Sequence, residues 1–121
     1  MSRLSTYTAL PIIRGSNANG EFVRFADGTQ ICTRLITVNV TINTPSGGVF
    51  ASAEVDFGVY PAAFVEPARF STQVDGIAQA WIGGGNSGSG PTAAGIRHVM
   101  RGASTGLVTA YIFYTAIGRW Y

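Results

Sequence analysis

Apolar residues recur at every second position over long stretches of this chain. From Ile36 to Ile42 each even position is apolar and each odd position is Thr or Asn. Successive side chains of a strand point to opposite faces, so this pattern predicts a half-buried β-strand. Residues 49–57 alternate in the same way, with apolar side chains at the odd positions, and predict a second strand.

Two Asp-Gly pairs lie between shorter apolar runs. The first, Asp27-Gly28, separates residues 22–25 from 29–32, and the second, Asp75-Gly76, separates residues 70–74 from 77–82. Asp-Gly tolerates the positive φ that tight turns need, so both pairs predict β-hairpins.

Three stretches break the simple alternation. Between Ile31 and Ile36 the apolar positions change from odd to even, which predicts a bulge or corner near Arg34-Leu35. Residues 107–117 are apolar or Thr on both faces, which predicts a strand covered on both sides, either centrally in the sheet or by another subunit. The best candidate for a helix is Thr92 to Arg101, although its alternate residues also fit one face of a strand.

The pattern as a whole predicts an all-β protein: an antiparallel β-sandwich of about seven or eight strands in one domain of 121 residues. Residues 83–91 contain five glycines in nine positions. The 30 residues after them are too apolar to stand alone, so the segment is interpreted as a long loop inside the domain, a type of loop that is often functional.

Charge excludes a nucleic-acid-binding surface. The chain has no Lys, and its eight Arg are spread from Arg3 to Arg119 against six acidic residues. Phosphate binding needs clustered cations, which are absent from this sequence. With only 12% charged residues, the composition favours an oligomer that buries apolar surface, and strand edges without Lys are expected to be covered by subunit pairing.

Cysteine and histidine content excludes further classes. One Cys and one His, Cys32 and His98, form neither an internal disulfide nor a Cys/His zinc site within one chain. Cys32 is expected in the core and His98 in a surface or hydrogen-bonded role, and no cofactor or metal is predicted. The first residues do not resemble a secretory signal and no apolar stretch is long enough to span a membrane, so we expect cytoplasmic synthesis and no membrane insertion.

Polar candidates for chemistry have simpler alternatives. Glu54 and Asp56 lie two apart on one strand face, a spacing that suits glycoside hydrolysis or a hard cation, but a solvated outer face is the favoured interpretation. No enzyme activity is predicted. Arg97 and Arg101 are candidates for an anionic sugar or phosphate, with a solvated face again the alternative.

Aromatic residues give a more specific hypothesis. Trp81 directly precedes the glycine-rich segment, and an indole beside polar loop residues suits the apolar face and the hydroxyls of a sugar ring. The alternative is that Trp81 anchors a strand end. The remaining aromatic candidates are interpreted as core or subunit interface. The hydrogen-bonding partners of Trp81 would be Asn86, Ser87 and Ser89, and the interface candidates are Tyr111, Phe113, Trp120 and Tyr121.

Three segments resemble the C-terminal domain of tailed-bacteriophage and prophage tail fibres. Residues 15–32 read Gly-Ser-Asn-Ala-Asn-Gly-Glu-Phe-Val-Arg-Phe-Ala-Asp-Gly-Thr-Gln-Ile-Cys and resemble its beginning. Residues 60–67, Tyr-Pro-Ala-Ala-Phe-Val-Glu-Pro, are similar to a Phe-Pro-x-x-Phe-x-x-x-Pro stretch, which is also similar to part of the H-type lectin domains. Residues 115–121, Thr-Ala-Ile-Gly-Arg-Trp-Tyr, resemble the end of the fibres.

The resemblance implies a homotrimeric receptor-binding tip on a virion, at a tail fibre or spike, made in the cytoplasm of a bacterial host. Its implied partners are a tail or baseplate protein and a polysaccharide or protein of the host surface. Residues 1–14 are expected to be an attachment segment and 15–121 the tip domain. The chain departs from the fibres where Thr33-Arg34 replaces a Trp after the Cys. No fibre shaft precedes the tip, so we expect either a free-standing tip protein or an excised domain. Two alternatives stay open: a virion decoration or head-spike protein, and a lectin-like sugar-binding module.

Overall fold

The computed structural model describes residues 12–87 and 89–121, with the side chains of all of these except 84–87. This part of the chain contains nine β-strands and no helix. The predicted all-β, antiparallel class is confirmed, with nine strands in place of seven or eight. In chain order they are β1 (Ile13–Asn17), β2 (Gly20–Arg24), β3 (Thr29–Ser46), β4 (Val49–Ser52), β5 (Val55–Asp56), β6 (Arg69–Asp75), β7 (Ala80–Ser87), β8 (Ile96–Arg101) and β9 (Leu107–Arg119).

The long strand β3 belongs to two layers of the fold, and all the strand pairs are antiparallel. From Thr29 to Thr41 it pairs with β9, so that the first layer has the order β1-β2-β3-β9-β6. Beyond Ile42 it pairs with β4, and the second layer continues to β8. Strand β8 pairs with β4 and β5 along one edge and with β7 along the other.

The core lies between these layers and is rich in aromatic rings. Phe57, just after β5, packs on Phe70 of β6 and on Tyr114 of β9, with ring centroids 5.8 and 6.2 Å apart. Burial of this apolar surface is the main force that holds the layers together. The buried cluster comprises Cys32, Val40, Ile42, Val55, Phe57, Tyr60, Phe64, Ala94, Val99, Ala110, Ile112, Tyr114 and Ala116.

The alternation predicted for residues 36–42 is confirmed, but the predicted bulge at Arg34-Leu35 is wrong. Strand β3 pairs with β9 without a register shift throughout the range Thr29 to Thr41. Gln30 is fully buried, which shows that the even positions of β3 already face inward at the beginning of the strand. The irregularity lies further along, between Ile42 and Thr44, where β3 passes to the second layer.

The two Asp-Gly pairs have different outcomes. Gly28 (φ +96°) closes the predicted hairpin between β2 and β3. The predicted hairpin at Asp75-Gly76 is wrong, because β6 pairs with β9 and β7 pairs with β8. Gly76 instead lies where the chain passes between layers. Its φ is +87°, and a Cβ there would lie 2.8 Å from the Thr109 carbonyl oxygen, so the crossing requires glycine.

The strand predicted at residues 49–57 is interrupted. It forms β4 and β5, separated by the exposed Ala53 and Glu54, and Ser52 is buried where a polar outer face was expected. The Ser52 hydroxyl accepts a hydrogen bond from the Val99 amide at 2.9 Å and donates one to the Ala53 carbonyl at 2.7 Å. The break therefore leaves no polar group of the Ser52 side chain unpaired.

One local prediction in the second half of the chain is wrong, and one alternative left open there is decided in favour of a strand. The loop predicted from Gly83 begins later, because β7 continues to Ser87, which pairs with Ile96 after an irregular stretch. Pairing with β8 occurs at Gly83 and again at Ser87, so β8 flanks both ends of this glycine-rich segment. The helix candidate at 92–101 is instead strand β8, from Ile96 to Arg101.

Strand β9 is covered on one face only within a single chain. Its even residues, such as Ile112 and Tyr114, are buried, whereas the odd residues Tyr111 and Phe113 are 42% and 41% exposed. Central burial on both faces is therefore the wrong alternative for this strand. The exposed apolar side chains beside one another on β3 and β9 are called here the outer β3–β9 face and comprise Leu35, Tyr111, Phe113 and Ile117.

Candidate functional site

Trp81 lies on the outer side of the second layer. Its neighbours Ala80 and Ile82 pack against the core, so Trp81 and Gly83 point to the opposite side. The indole is 44% exposed, and Trp81 pairs with Met100 of β8. A Cβ added at Gly83 would lie 3.1 Å from Met100 Cγ and 3.4 Å from Trp81 Nε1, so both side chains pack closely over this glycine.

His98 faces the same side and pairs with Gly83. Its Nδ1 lies 2.8 Å from the Ser52 carbonyl oxygen. A carbonyl oxygen only accepts hydrogen bonds, so Nδ1 donates and the neutral ring keeps Nε2 as an acceptor. Trp81, Gly83, His98 and Met100 are called here the outer β7–β8 face. Alternation along residues 96–101 would have placed His98 and Met100 together, but a single His gave no reason to connect it to Trp81.

The arginine candidates are not brought to this face. Arg97 points between the layers, with its Cζ 4.2 Å from the Phe70 ring centroid. Its Nη2 donates to the Ala94 carbonyl at 3.2 Å, and its Nε is buried without a hydrogen-bond partner. Arg101 donates to the carbonyls of Ala78 and Ala103. Both guanidinium groups are therefore engaged in contacts within the chain.

The polar loop candidates are only partly described. The side chains of Asn86 and Ser87 lie outside the described residues, although the backbone of Ser87 belongs to β7. Ser89 is exposed beyond the end of that strand. Their role as partners of Trp81 stays a prediction. The attachment segment predicted at residues 1–14 is described only from residue 12 onward, and β1 begins at Ile13.

Trp120 and Tyr121 contact the β2–β3 turn of their own chain. The Trp120 amide donates to the Gly28 carbonyl at 2.9 Å, and its indole N–H donates to the Phe25 carbonyl at 2.8 Å. The Tyr121 hydroxyl donates to the Ala26 carbonyl. Trp120 is half-buried, whereas the Tyr121 ring is mostly exposed. Their proposed place in a subunit interface stays a prediction beside this intramolecular role.

The three segments that carry the tail-fibre resemblance meet at this point. Gln30 is fully buried, and its Nε2 donates to the carbonyls of Ala62 and Ala63 at 3.0 and 3.2 Å. Its Oε1 accepts from Arg24 Nε at 2.7 Å. The Val65 amide donates to the Arg119 carbonyl at 2.9 Å. The region formed by residues 25–30, 60–65 and 118–121 is called here the closed end.

Electrostatics at the closed end favour a structural role. The Thr29 amide donates to the Asp27 carboxylate, and this bond holds the pKa of Asp27 below its ordinary value of 3.8. Burial raises the pKa of the Cys32 thiol, which opposes formation of a reactive thiolate. The region consists mainly of hydrogen bonds to backbone carbonyls and of packed rings.

The acidic pair gives little support for catalysis or metal binding. Asp56 accepts a hydrogen bond from the Gly58 amide at 2.8 Å, which stabilises a turn, and Glu54 is exposed. Residues 12–87 and 89–121 contain no cluster of three or more His, Cys, Asp or Glu side chains able to hold a metal ion. Over the same described ranges, no helix is long and apolar enough to span a membrane.

The architecture defines a small antiparallel β-sandwich whose layers share one long strand, and one solved structure is similar to it. The chain aligns with an N-truncated R1-type pyocin tail fibre at 14% sequence identity and a TM-score of 0.59, over 97% of this chain and 93% of that chain. No family model and no curated protein matches the sequence. The fold that the tail-fibre resemblance implied is thereby confirmed, while the resemblance to H-type lectin domains stays a prediction.

Proposed function

We propose that this chain is a receptor-binding tip of the phage tail-fibre type, which attaches a virion to a polysaccharide or protein of a bacterial surface. The observation that carries the proposal is the similarity of nearly the whole chain to a solved tail fibre. The fold suits adhesion because it presents strand faces and loops on a rigid scaffold. The proposed activity is binding rather than catalysis, and its other partner would be a tail or baseplate protein.

The outer β3–β9 face supports assembly into a homotrimer. Leu35, Tyr111, Phe113 and Ile117 are each more than 40% exposed and lie next to one another on two paired strands. An apolar patch of this kind marks an interaction surface. Three linked copies would raise the avidity for a weakly bound surface ligand, because the second and third contacts form at high effective concentration.

The first experiment measures the absolute mass by light scattering after size exclusion. We expect three times the chain mass of 12.7 kDa. Phe113→Glu places a charge in the proposed interface and should produce monomers. Val65→Glu is the matched control, because Val65 is also an exposed apolar residue but lies in the closed end. A wild-type monomer would contradict the homotrimer.

The second experiment measures binding of the labelled wild-type protein to a panel of bacterial strains and to tailed virions. Binding to cells supports a receptor-binding tip. Binding to virions with no binding to any cell favours the virion decoration or head-spike alternative. The same panel with Phe113→Glu tests whether attachment depends on valency, since monomers should bind cells more weakly than trimers.

A further inference from the structure

A cleft beside the outer β7–β8 face has the size and chemistry of a ligand site. Its volume is about 340 Å³, at the lower end of the range for small-molecule sites, which is roughly 300–1,000 Å³. It lies where the end of β3 faces β4 and β8. Its lining consists of Thr44, Pro45, Ser46, Ala51, Ser52, His98 and Met100.

The lining combines apolar surface with hydrogen-bonding groups and carries no carboxylate or guanidinium group. Met100, Pro45 and Ala51 are apolar, while Thr44 and Ser46 lie in the exposed end of β3 and carry hydroxyl groups. The nearest arginines on β8 are Arg97 and Arg101, and both bond to carbonyls of their own chain. An anionic ligand would therefore find no opposite charge in the cleft.

His98 supplies a fixed hydrogen-bond acceptor. The bond from Nδ1 to the Ser52 carbonyl sets both the tautomer and the orientation of the ring. The Ser52 hydroxyl is already occupied by Val99 and Ala53 and is not available to a ligand. Nε2 is thus the ring atom left to accept a hydrogen bond from a hydroxyl group.

Trp81 extends the cleft with a flat aromatic surface. Met100 lines the cleft and also packs over Gly83, together with the indole of Trp81. Met100 is only 9% exposed, so the indole, which is 44% exposed, supplies most of the apolar surface beside the cleft. Gly83 pairs with His98 and Trp81 pairs with Met100, which places the imidazole and the indole on the same face of neighbouring strands.

We propose that this surface binds a neutral pyranose unit, with its C–H face on Trp81 and Met100 and one hydroxyl donating to His98 Nε2. The inference deepens the proposed function by naming the class of surface ligand, and it rests on that function for its biological meaning. Aromatic stacking suits the apolar face of the sugar ring, and polar groups around a partly apolar cleft supply orientation.

The test is an NMR titration of the full chain with three neutral probes: the methyl glycosides of glucose, galactose and N-acetylglucosamine. At least one should shift the amide signals of Gly83, His98 and Met100 in a saturable way. Methyl glucuronide, which has the same ring and a carboxylate, should bind more weakly. Absence of saturable shifts with all neutral probes, or tighter binding of the glucuronide, would overturn the proposal.

Three variants localise the binding. Trp81→Ala should weaken it by about tenfold, which corresponds to the loss of a contact of about 1.4 kcal/mol. Gly83→Val should abolish it, because a side chain there would displace Met100 and Trp81, whose Cγ and Nε1 atoms lie 3.1 and 3.4 Å from the Cβ position. His98→Asn should weaken it, because Asn Nδ2 can still donate to the Ser52 carbonyl while the acceptor at Nε2 is lost. Unchanged affinity in Trp81→Ala and His98→Asn would contradict the site even if a sugar binds.

The controls separate this inference from the proposed function. Val65→Ala removes an exposed apolar side chain of the closed end and should leave the affinity for the sugar unchanged. Melting temperatures of all variants show whether a loss of binding reflects unfolding. Cell attachment that persists in Trp81→Ala, His98→Asn and Gly83→Val would refute the site but preserve the receptor-binding tip. Sugar binding without cell attachment would preserve the site but refute the receptor-binding tip.

Discussion

Trp120 and Trp81, the two tryptophans of this chain, have opposite surroundings. Trp120 donates two hydrogen bonds to the β2–β3 turn, and the Arg24 guanidinium lies 5.1 Å from its ring centroid. Trp81 lies on a strand surface, is 44% exposed and packs beside Met100 over Gly83. Trp120 belongs to a segment that carries the tail-fibre resemblance and yet has a structural role. Trp81 lies beside the glycine-rich segment, which is a less specific motif, and its exposed ring remains free for a ligand.

The largest expected effect distinguishes the two tryptophans directly. Trp120→Ala should lower the free energy of unfolding by about 2–3 kcal/mol, since it removes packing and one of the two donors to the Phe25 carbonyl, leaving only the Gly28 amide. Trp81→Ala should cost less than about 1 kcal/mol, as exposed positions usually do. Thermal melting followed by circular dichroism at one chain concentration measures both. Equal losses would remove the distinction between the two regions.

A second variant tests whether buried polar bonds hold the closed end. Gln30→Leu keeps the approximate volume but leaves the carbonyls of Ala62 and Ala63 and the Nε of Arg24 without their partner. We expect a loss of about 2 kcal/mol, because buried polar groups left unpaired are costly. The matched control is Gln73→Leu, since Gln73 is exposed and bonds only Asp75, at 3.3 Å. The same denaturation assay should show almost no change for this control.

The smallest effect concerns the core between the two regions and has the opposite sign. The Tyr114 hydroxyl is buried without a hydrogen-bond partner, so Tyr114→Phe should stabilise the fold by about 1 kcal/mol. Tyr60→Phe is the control, because Tyr60 packs on Tyr114 but its hydroxyl is not among the buried unpartnered atoms. A loss of stability in Tyr114→Phe would show that the hydroxyl has a partner.

The difference between Tyr114→Phe and the wild type has a predictable pH dependence. Burial raises the pKa of Tyr114 from 10.0 to about 12 in the folded protein. A raised folded-state pKa means that the wild type loses stability as the pH rises from 10 towards 12, since only the unfolded chain releases the proton easily. The Phe variant lacks this loss. Its advantage in melting temperature should therefore grow above pH 10.

Much of the fold was predictable from alternation alone, as in Ile36 to Ile42 and at the Asp27-Gly28 hairpin. The bulge was mispredicted because Gln30 and Arg34 are polar and yet face inward, where Arg34 Nη1 donates to the Phe57 carbonyl at 3.0 Å. Asp75-Gly76 was misassigned because a crossing between layers uses the same turn chemistry as a hairpin. Both errors depend on partners distant in the chain, which local pattern does not reveal.

The candidate site was predictable only in part. Trp81 was identified because it directly precedes a glycine-rich segment that carries Asn and Ser, and in the structure its side chain is 44% exposed. Arg97 was expected on a solvated face or at a ligand, but it packs on Phe70. Arg97 lies two residues before the buried Val99 and therefore points to the same side of β8. His98 was missed as a neighbour of Trp81 because residues from Gly83 onward were interpreted as a loop. That interpretation did not include the pairing of β7 with β8, which places Gly83 opposite His98.

The pairing of β3 with β9 has a consequence for biosynthesis. Thr29 pairs with Arg119, and thirteen successive pairs join two strands that are far apart in the chain. While the ribosome is still synthesising the residues between them, β3 has an open edge and an uncovered apolar face. The sandwich is completed only after β9 has left the exit tunnel, so this fold is expected to form slowly and to need protection from aggregation until then.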